Sequence, residues 1–122
     1  MQRELIEMQD PVFGEGSLHT AIAAIAVEIE GIVRTIVCTA ELYLSRDGVT
    51  KAATSGAKTF TTTTEGEPQT IDLSIIMPAA GFAYKVLLDI LSGNEVLKAY
   101  QATEDVLIPQ IGTPVITWSQ DV

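Results

Sequence analysis

The chain has 122 residues, with 16 acids against 7 bases for a net charge of −9, and 47% of its residues are apolar. That length fits one domain able to bury a core without staples, and the apolar share excludes an intrinsically disordered chain. Every Lys and Arg is isolated along the sequence. No cationic track is present to replace phosphate counterions, so no nucleic-acid partner is expected, and an anionic membrane surface repels the chain.

Cys38 is the single cysteine and has no partner for an internal disulfide. It sits in an apolar, β-branched run, where a buried and inert thiol is expected rather than a nucleophile. The first residues, Met1-Gln2-Arg3-Glu4 with Glu7 and Asp10 following, lack the basic and then apolar pattern of an export signal. The longest uncharged apolar run, Ala21 to Val27, is too short to span a bilayer, so no membrane insertion is expected.

Residues 1–17 carry four acids, one base, Pro11, Gly14 and Gly16 and read as an N-terminal arm. A short strand at Glu4–Met8 followed by a loop is expected there, either as a strand of the same domain or as an arm packing on a neighbour. Residues 18–30 satisfy two periods. Leu18, Ile22, Ile25 and Ile29 make a helical stripe, while Ala21, Ala23, Ile25, Val27 and Ile29 make one face of a strand. A strand is the preferred reading because strands follow. Over 33–46, Ile36, Cys38, Ala40, Leu42 and Leu44 alternate with Thr35, Thr39, Glu41 and Ser45, which means one buried and one wetter face. Asp47-Gly48 signals a turn, and a short strand is expected at Val49–Thr54 before Ser55-Gly56.

Lys58–Thr64 reads as a strand with Phe60 inward and threonines outward, broken by Glu65-Gly66-Glu67-Pro68. Ile71, Leu73, Ile75 and Met77 alternate with Thr70, Asp72 and Ser74, and Pro78 ends that strand because it cannot donate to a ladder. Phe82, Tyr84, Val86, Leu88 and Ile90 share the next face, and Ser92-Gly93-Asn94 reads as a hairpin loop. Val96, Tyr100, Ala102, Val106 and Ile108 share parity with Lys98 as the exception, and Glu104-Asp105 marks a bulge or an edge. Residues 109–122, with Pro109 and Gly112-Thr113-Pro114, form a C-terminal strand or tail carrying Val115–Ser119 and Trp118. Seven to nine short strands with regular turn signals predict an all-β antiparallel sandwich over 18–108, not βαβ units.

The stretch Met77–Ile108, with Met77-Pro78, Gly81 and Tyr84-Lys85-Val86, resembles the last strands of immunoglobulin-like or fibronectin-III-like bacterial sandwiches, including adhesion-type surface modules. The likeness covers roughly residues 30–108. It implies a structural role for Pro78, Gly81 and Tyr84, with the Tyr84 hydroxyl returning to a nearby backbone carbonyl as in a tyrosine corner. The chain departs from antibody domains in placing Val86 where the second cysteine falls, and in having its only tryptophan, Trp118, outside the core position. A fold of this kind hosts many functions.

Chemistry-bearing residues are sparse. His19 is the only histidine and has no His or Cys neighbour in sequence with which to make a zinc site. No G-x-S-x-G elbow, calcium loop or phosphate loop is present. The carboxylate pairs Glu28/Glu30, Glu65/Glu67 and Glu104/Asp105 read as solvated turns and edges. No catalytic residue, cofactor or metal is expected. The aromatic residues Phe13, Tyr43, Tyr100 and Trp118 are the candidate partner contacts. The expected function is a non-catalytic structural protein that forms a homo-oligomer or joins other structural proteins through arm, tail and sheet edges. A capsid decoration or tail protein of a phage or virus particle, or a surface filament subunit, has this character, which favours a virion or extracellular surface location. The alternative is a soluble carbohydrate- or protein-binding module.

Overall fold

The computed structural model describes residues 3–7 and 13–109. Among them the chain forms nine strands: β1 (Glu4–Ile6), β2 (Leu18–Ile25), β3 (Thr35–Ser45), β4 (Ala53–Thr54), β5 (Lys58–Thr63), β6 (Gln69–Ile76), β7 (Phe82–Ser92), β8 (Glu95–Ala102) and β9 (Val106–Ile108). They make two sheets. The larger runs β1-β8-β7-β3-β4, with β5 also on β3 and β9 also on β7, while β2 and β6 form a two-stranded sheet. The predicted all-β, two-layer architecture is present.

The alternation in the sequence decides which faces meet. Cys38, Ala40, Leu42 and Leu44 of β3, Tyr84, Leu88 and Ile90 of β7, and Ile71, Leu73 and Ile75 of β6 are buried in one cluster with Val106 and Ile108. Burying a leucine such as Leu73 contributes roughly 1.5–3 kcal/mol. In β2 the strand parity wins over the helical stripe. Ile25 is buried, whereas Leu18 and Ile22 lie outward and are 65% and 72% exposed. A helix would have placed all three on one face.

β4 and β5 together follow one edge of β3 with a one-residue slip between them. Tyr43 faces Thr54, but Ala40 faces Lys58. Ser55 repairs the ladder, accepting from the Leu42 N–H through its hydroxyl at 3.0 Å and donating its own N–H to the Leu42 carbonyl at 2.8 Å. The strand expected at Val49–Thr54 is only Ala53–Thr54, because the Asp47 carboxylate gathers the N–H groups of Val49 and Thr50 into a turn. Not all threonines of β5 and its extension face outward. Thr62 and Thr64 share the parity of Phe60 and are buried, where Thr62 donates to the Glu67 carbonyl and Thr64 Oγ1 accepts from the Arg34 N–H. In β8 the slip falls between Val96 and Lys98, which pair with Leu91 and Ile90. Lys98 keeps the register of Tyr100, and the residue that the slip displaces from that parity is Val96. Glu104-Asp105 marks the break between β8 and β9.

Two further features depart from a purely antiparallel sandwich with a separate arm. β1 pairs β8 in parallel, Glu4 opposite Tyr100 and Ile6 opposite Ala102. Phe13 continues along the same edge by donating its N–H to the Leu107 carbonyl at 3.1 Å, before the chain turns over to β2. Residues 4–6 are thus an edge strand of the chain's own larger sheet. Tyr84 is 2% exposed and its hydroxyl donates to the Ala79 carbonyl at 2.8 Å. Pro78 and Gly81 lie in the loop it ties down, where Gly81 has φ +89° and donates to the Ile108 carbonyl.

Candidate functional site

The two sheets differ in width. The larger is five strand positions across, roughly 19 Å, while the β2–β6 pair spans one spacing of roughly 5 Å. The narrow sheet cannot cover the wide one, and the shortfall is a cleft of about 790 Å³. Its floor is the inner face of the larger sheet: Val86, Leu88 and Ile90 of β7, Tyr100 and Ala102 of β8, and Ile6 of β1. Leu42, Leu44, Leu73, Ile75 and Met77 lie at its depth. Its wall is β2 from His19 to Ala26, with Phe13 and Glu7 also at the lining. The inward positions of β2 include Ala21 and Ala23, whose single methyls do not reach the opposite sheet.

The edge of β2 beside this cleft is unpaired among the described residues, since β2 pairs only β6. The phase of its ladder is fixed at both ends: Met77 donates to the Ser17 carbonyl, and Gly66 donates to the Val27 carbonyl. Antiparallel alternation then turns the N–H and C=O of His19, Ala21, Ala23 and Ile25 toward β6, and those of Leu18, Thr20, Ile22 and Ala24 toward the open edge. The other edges are blunted. β1 is three residues long and carries Glu4, ion-paired to Lys98 at 2.8 Å. The β4–β5 edge is broken at Ser55–Ala57, and the far edge of β6 is capped by Lys58 donating to the Asp72 carbonyl at 2.9 Å. Short strands, charges and bulges are how sheet edges avoid pairing with other chains. β2, reading Leu-His-Thr-Ala-Ile-Ala-Ala-Ile, has no charge, no proline and no slip against β6.

The candidate aromatic contacts separate. Phe13 and Tyr100 both line the cleft, half-buried. Tyr43 instead lies on the opposite face of the larger sheet and is 4% exposed. Its hydroxyl accepts from Arg3 Nη2 at 2.7 Å, while Arg3 Nη1 meets Asp89 at 2.6 Å and Lys51 lies over the ring. Burial, with Asp89 beside it, raises the Tyr43 pKa. This network pins β1 to the sheet and occupies Tyr43 within the chain. Trp118 lies outside the described residues.

His19 sits on the cleft wall, stacked at 4.2 Å and tilted against Phe13, with Nε2 2.9 Å from Ser17 Oγ. This Ser–His proximity escaped the sequence search because the two lie at i and i+2, not in a nucleophile motif. Ser17 directs its hydroxyl proton at the Gly14 carbonyl, 2.6 Å away, so the arrangement caps a turn. Among the described residues no group of three or more His, Cys, Asp or Glu is placed to hold a metal ion, and no helix is long and apolar enough to cross a membrane. What the sequence reading missed is the cleft itself. Its one sequence signal was the alanine-rich, uncharged run of β2.

No protein-family model, curated protein or solved structure matches this chain. The functional reading therefore rests on the cleft and the edge beside it.

Proposed function

We propose that this chain is a non-catalytic structural protein, an immunoglobulin-like sandwich that assembles with neighbouring subunits by strand addition. The observation that carries the reading is the edge of β2, unpaired among the described residues, above an apolar cleft. An open edge supplies backbone hydrogen bonds to an incoming strand, and a cleft beside it supplies pockets for alternate side chains. The immunoglobulin-like reading is supported by the strand order. A β8-β7-β3 sheet opposite a β2–β6 pair corresponds to the G-F-C and B–E strands of such domains, and Tyr84 near the start of β7 corresponds to their corner tyrosine. In that correspondence the place beside β2 that no described residue fills is the position of the first strand, A.

A phage or virus particle component, or a surface filament subunit, is the class of assembly that this suits. The acidic surface keeps unassembled copies soluble and leaves association to the uncharged edge. A second reading, a soluble binding module, draws on the same cleft, whose volume is that of a small-ligand site. Its apolar lining, with Glu7, His19 and Thr20 as the polar groups, fits an apolar or peptide ligand better than a carbohydrate.

Sedimentation of the full chain over a wide concentration range tests the proposal. Mass rising above the 13.1 kDa monomer is expected. A monomer throughout would leave the binding-module reading in its place.

A further inference from the structure

We infer that the strand completing the β2–β6 sheet is Val115–Ser119 of a second copy of this chain, laid antiparallel to β2 with Ile116 and Trp118 in the cleft. The inference rests on the assembly reading and names its partner. Two stretches of the chain longer than two residues lie outside the described residues, 8–12 and 110–122. The described residues that flank the first, β1 and Phe13, are both bonded to the β8–β9 edge. The second has the required character. From Val106 to Gln120 it carries no charge, so its insertion buries no ion. Val115, Thr117 and Ser119 alternate with Ile116 and Trp118, which gives one polar-leaning face and one large apolar face.

The sizes agree. Five or six residues after Pro114 extend roughly 17–20 Å, within the roughly 27 Å of the eight-residue β2. The apolar face fills the space that Ala21 and Ala23 leave, and the other face continues the outward row of Leu18, Thr20 and Ile22. Residues 109–114, with Pro109, Gly112 and Pro114, reach up to roughly 20 Å between subunits.

Topology points to a second copy over the chain's own tail. β9 ends opposite Phe82, at the start of β7, and the end of β6 meets the start of β2 with Leu18 opposite Ile76. The tail therefore leaves at the end of the sandwich where β2 begins, and folding back along its own β2 makes a parallel pair. A tail from another copy can enter from the opposite end and form the antiparallel ladder, which is more stable per residue.

Residue-resolved hydrogen exchange on the full chain at rising concentration, with sedimentation alongside, tests this. The amides of Leu18, Thr20, Ile22 and Ala24 are expected to gain protection about threefold per tenfold in concentration well above the dissociation constant, because the free tail of a self-associating chain rises as the square root of its total concentration. The double variant Ile116→Glu, Trp118→Glu is expected to lose that gain while the core amides of Leu44 and Leu87 stay protected. Complete protection in a chain that sediments as a monomer means the chain's own tail fills the slot, and overturns the inference. So does a gain that the double variant retains. Mass that rises while these four amides stay open leaves the assembly reading standing without this contact. Mass that stays at the monomer value removes both.

Discussion

Replacing Arg3 by Ala tests how β1 is held. The strand is three residues long and fully exposed along its length, so its ladder to β8 alone is weak. Arg3 adds a charge-assisted pair to Asp89 at 2.6 Å, a bond to the Tyr43 hydroxyl at 2.7 Å and a longer one to the Tyr100 carbonyl at 3.3 Å. The Arg3 and Asp89 side chains are 15% and 20% exposed, so solvent screens the pair only in part. A hydrogen bond to a charged group of this kind contributes about 1.5–3 kcal/mol, and removing Arg3 leaves the Asp89 carboxylate unpaired. Arg3→Ala is expected to lower the free energy of β1 docking by about 2 kcal/mol, which is about thirtyfold in local opening. Amide exchange of Ile6 and Thr103 reads that opening, since Thr103 donates to the Ile6 carbonyl. Core amides such as Leu44 should change far less, because β1 is a peripheral unit. Arg3→Lys keeps the charge but not the fork and is expected to fall between. Unchanged exchange at Ile6 and Thr103 in Arg3→Ala would refute the argument that this network holds the strand.

Tyr84→Phe removes the bond to the Ala79 carbonyl and is expected to cost about 1–3 kcal/mol, measured by urea denaturation with an unchanged slope. Asp47 accepts from the N–H groups of Thr50 and Val49 and from the Ser45 hydroxyl, which holds its carboxyl well below the usual carboxylate range. A lowered folded pKa gives stability that is present above the unfolded value near 4 and fades as pH falls below it. Carbon-detected NMR titration should therefore show Asp47 still ionised at pH 3, and Asp47→Ala should remove part of the acid dependence of the 45–50 turn. Cys38 is 1% exposed and burial raises its thiol pKa, so a thiol reagent at pH 8 is expected to react only as fast as the chain unfolds. Immediate labelling of the native chain would contradict that burial.

The fold was legible wherever one strand's own side chains report its environment. The alternation of 35–45, 70–77 and 82–90 identified β3, β6 and β7 because each buries one face against the other sheet. The Tyr84 hydroxyl meets the Ala79 carbonyl five residues earlier, a contact within one local loop. What the sequence concealed is pairwise. Arg3, Asp89 and Tyr43 are far apart along the chain, so nothing near Tyr43 signals that its hydroxyl is already taken. Thr62 and Thr64 read as surface because their partners, the Glu67 carbonyl and the Arg34 N–H, come from other segments. The cleft is concealed for a third reason. It arises from the difference in width between two sheets, a property of no single strand, and its trace in the sequence is the small side chains of Ala21 and Ala23. Phe13 and Tyr100 emerged as candidates on aromatic character alone, and the fold brings them to one cavity.

In the proposed assembly β2 is the edge through which copies associate. Sedimentation of the full chain beside Ile22→Pro measures it most directly. The Ile22 N–H points to the open edge, so proline there removes a donor for an added strand without removing a β2–β6 bond. The unaltered chain is expected to associate with rising concentration, and Ile22→Pro, with its core amides still protected, is expected to remain at 13.1 kDa. Equal association of the two chains, or a monomer in both, would contradict it.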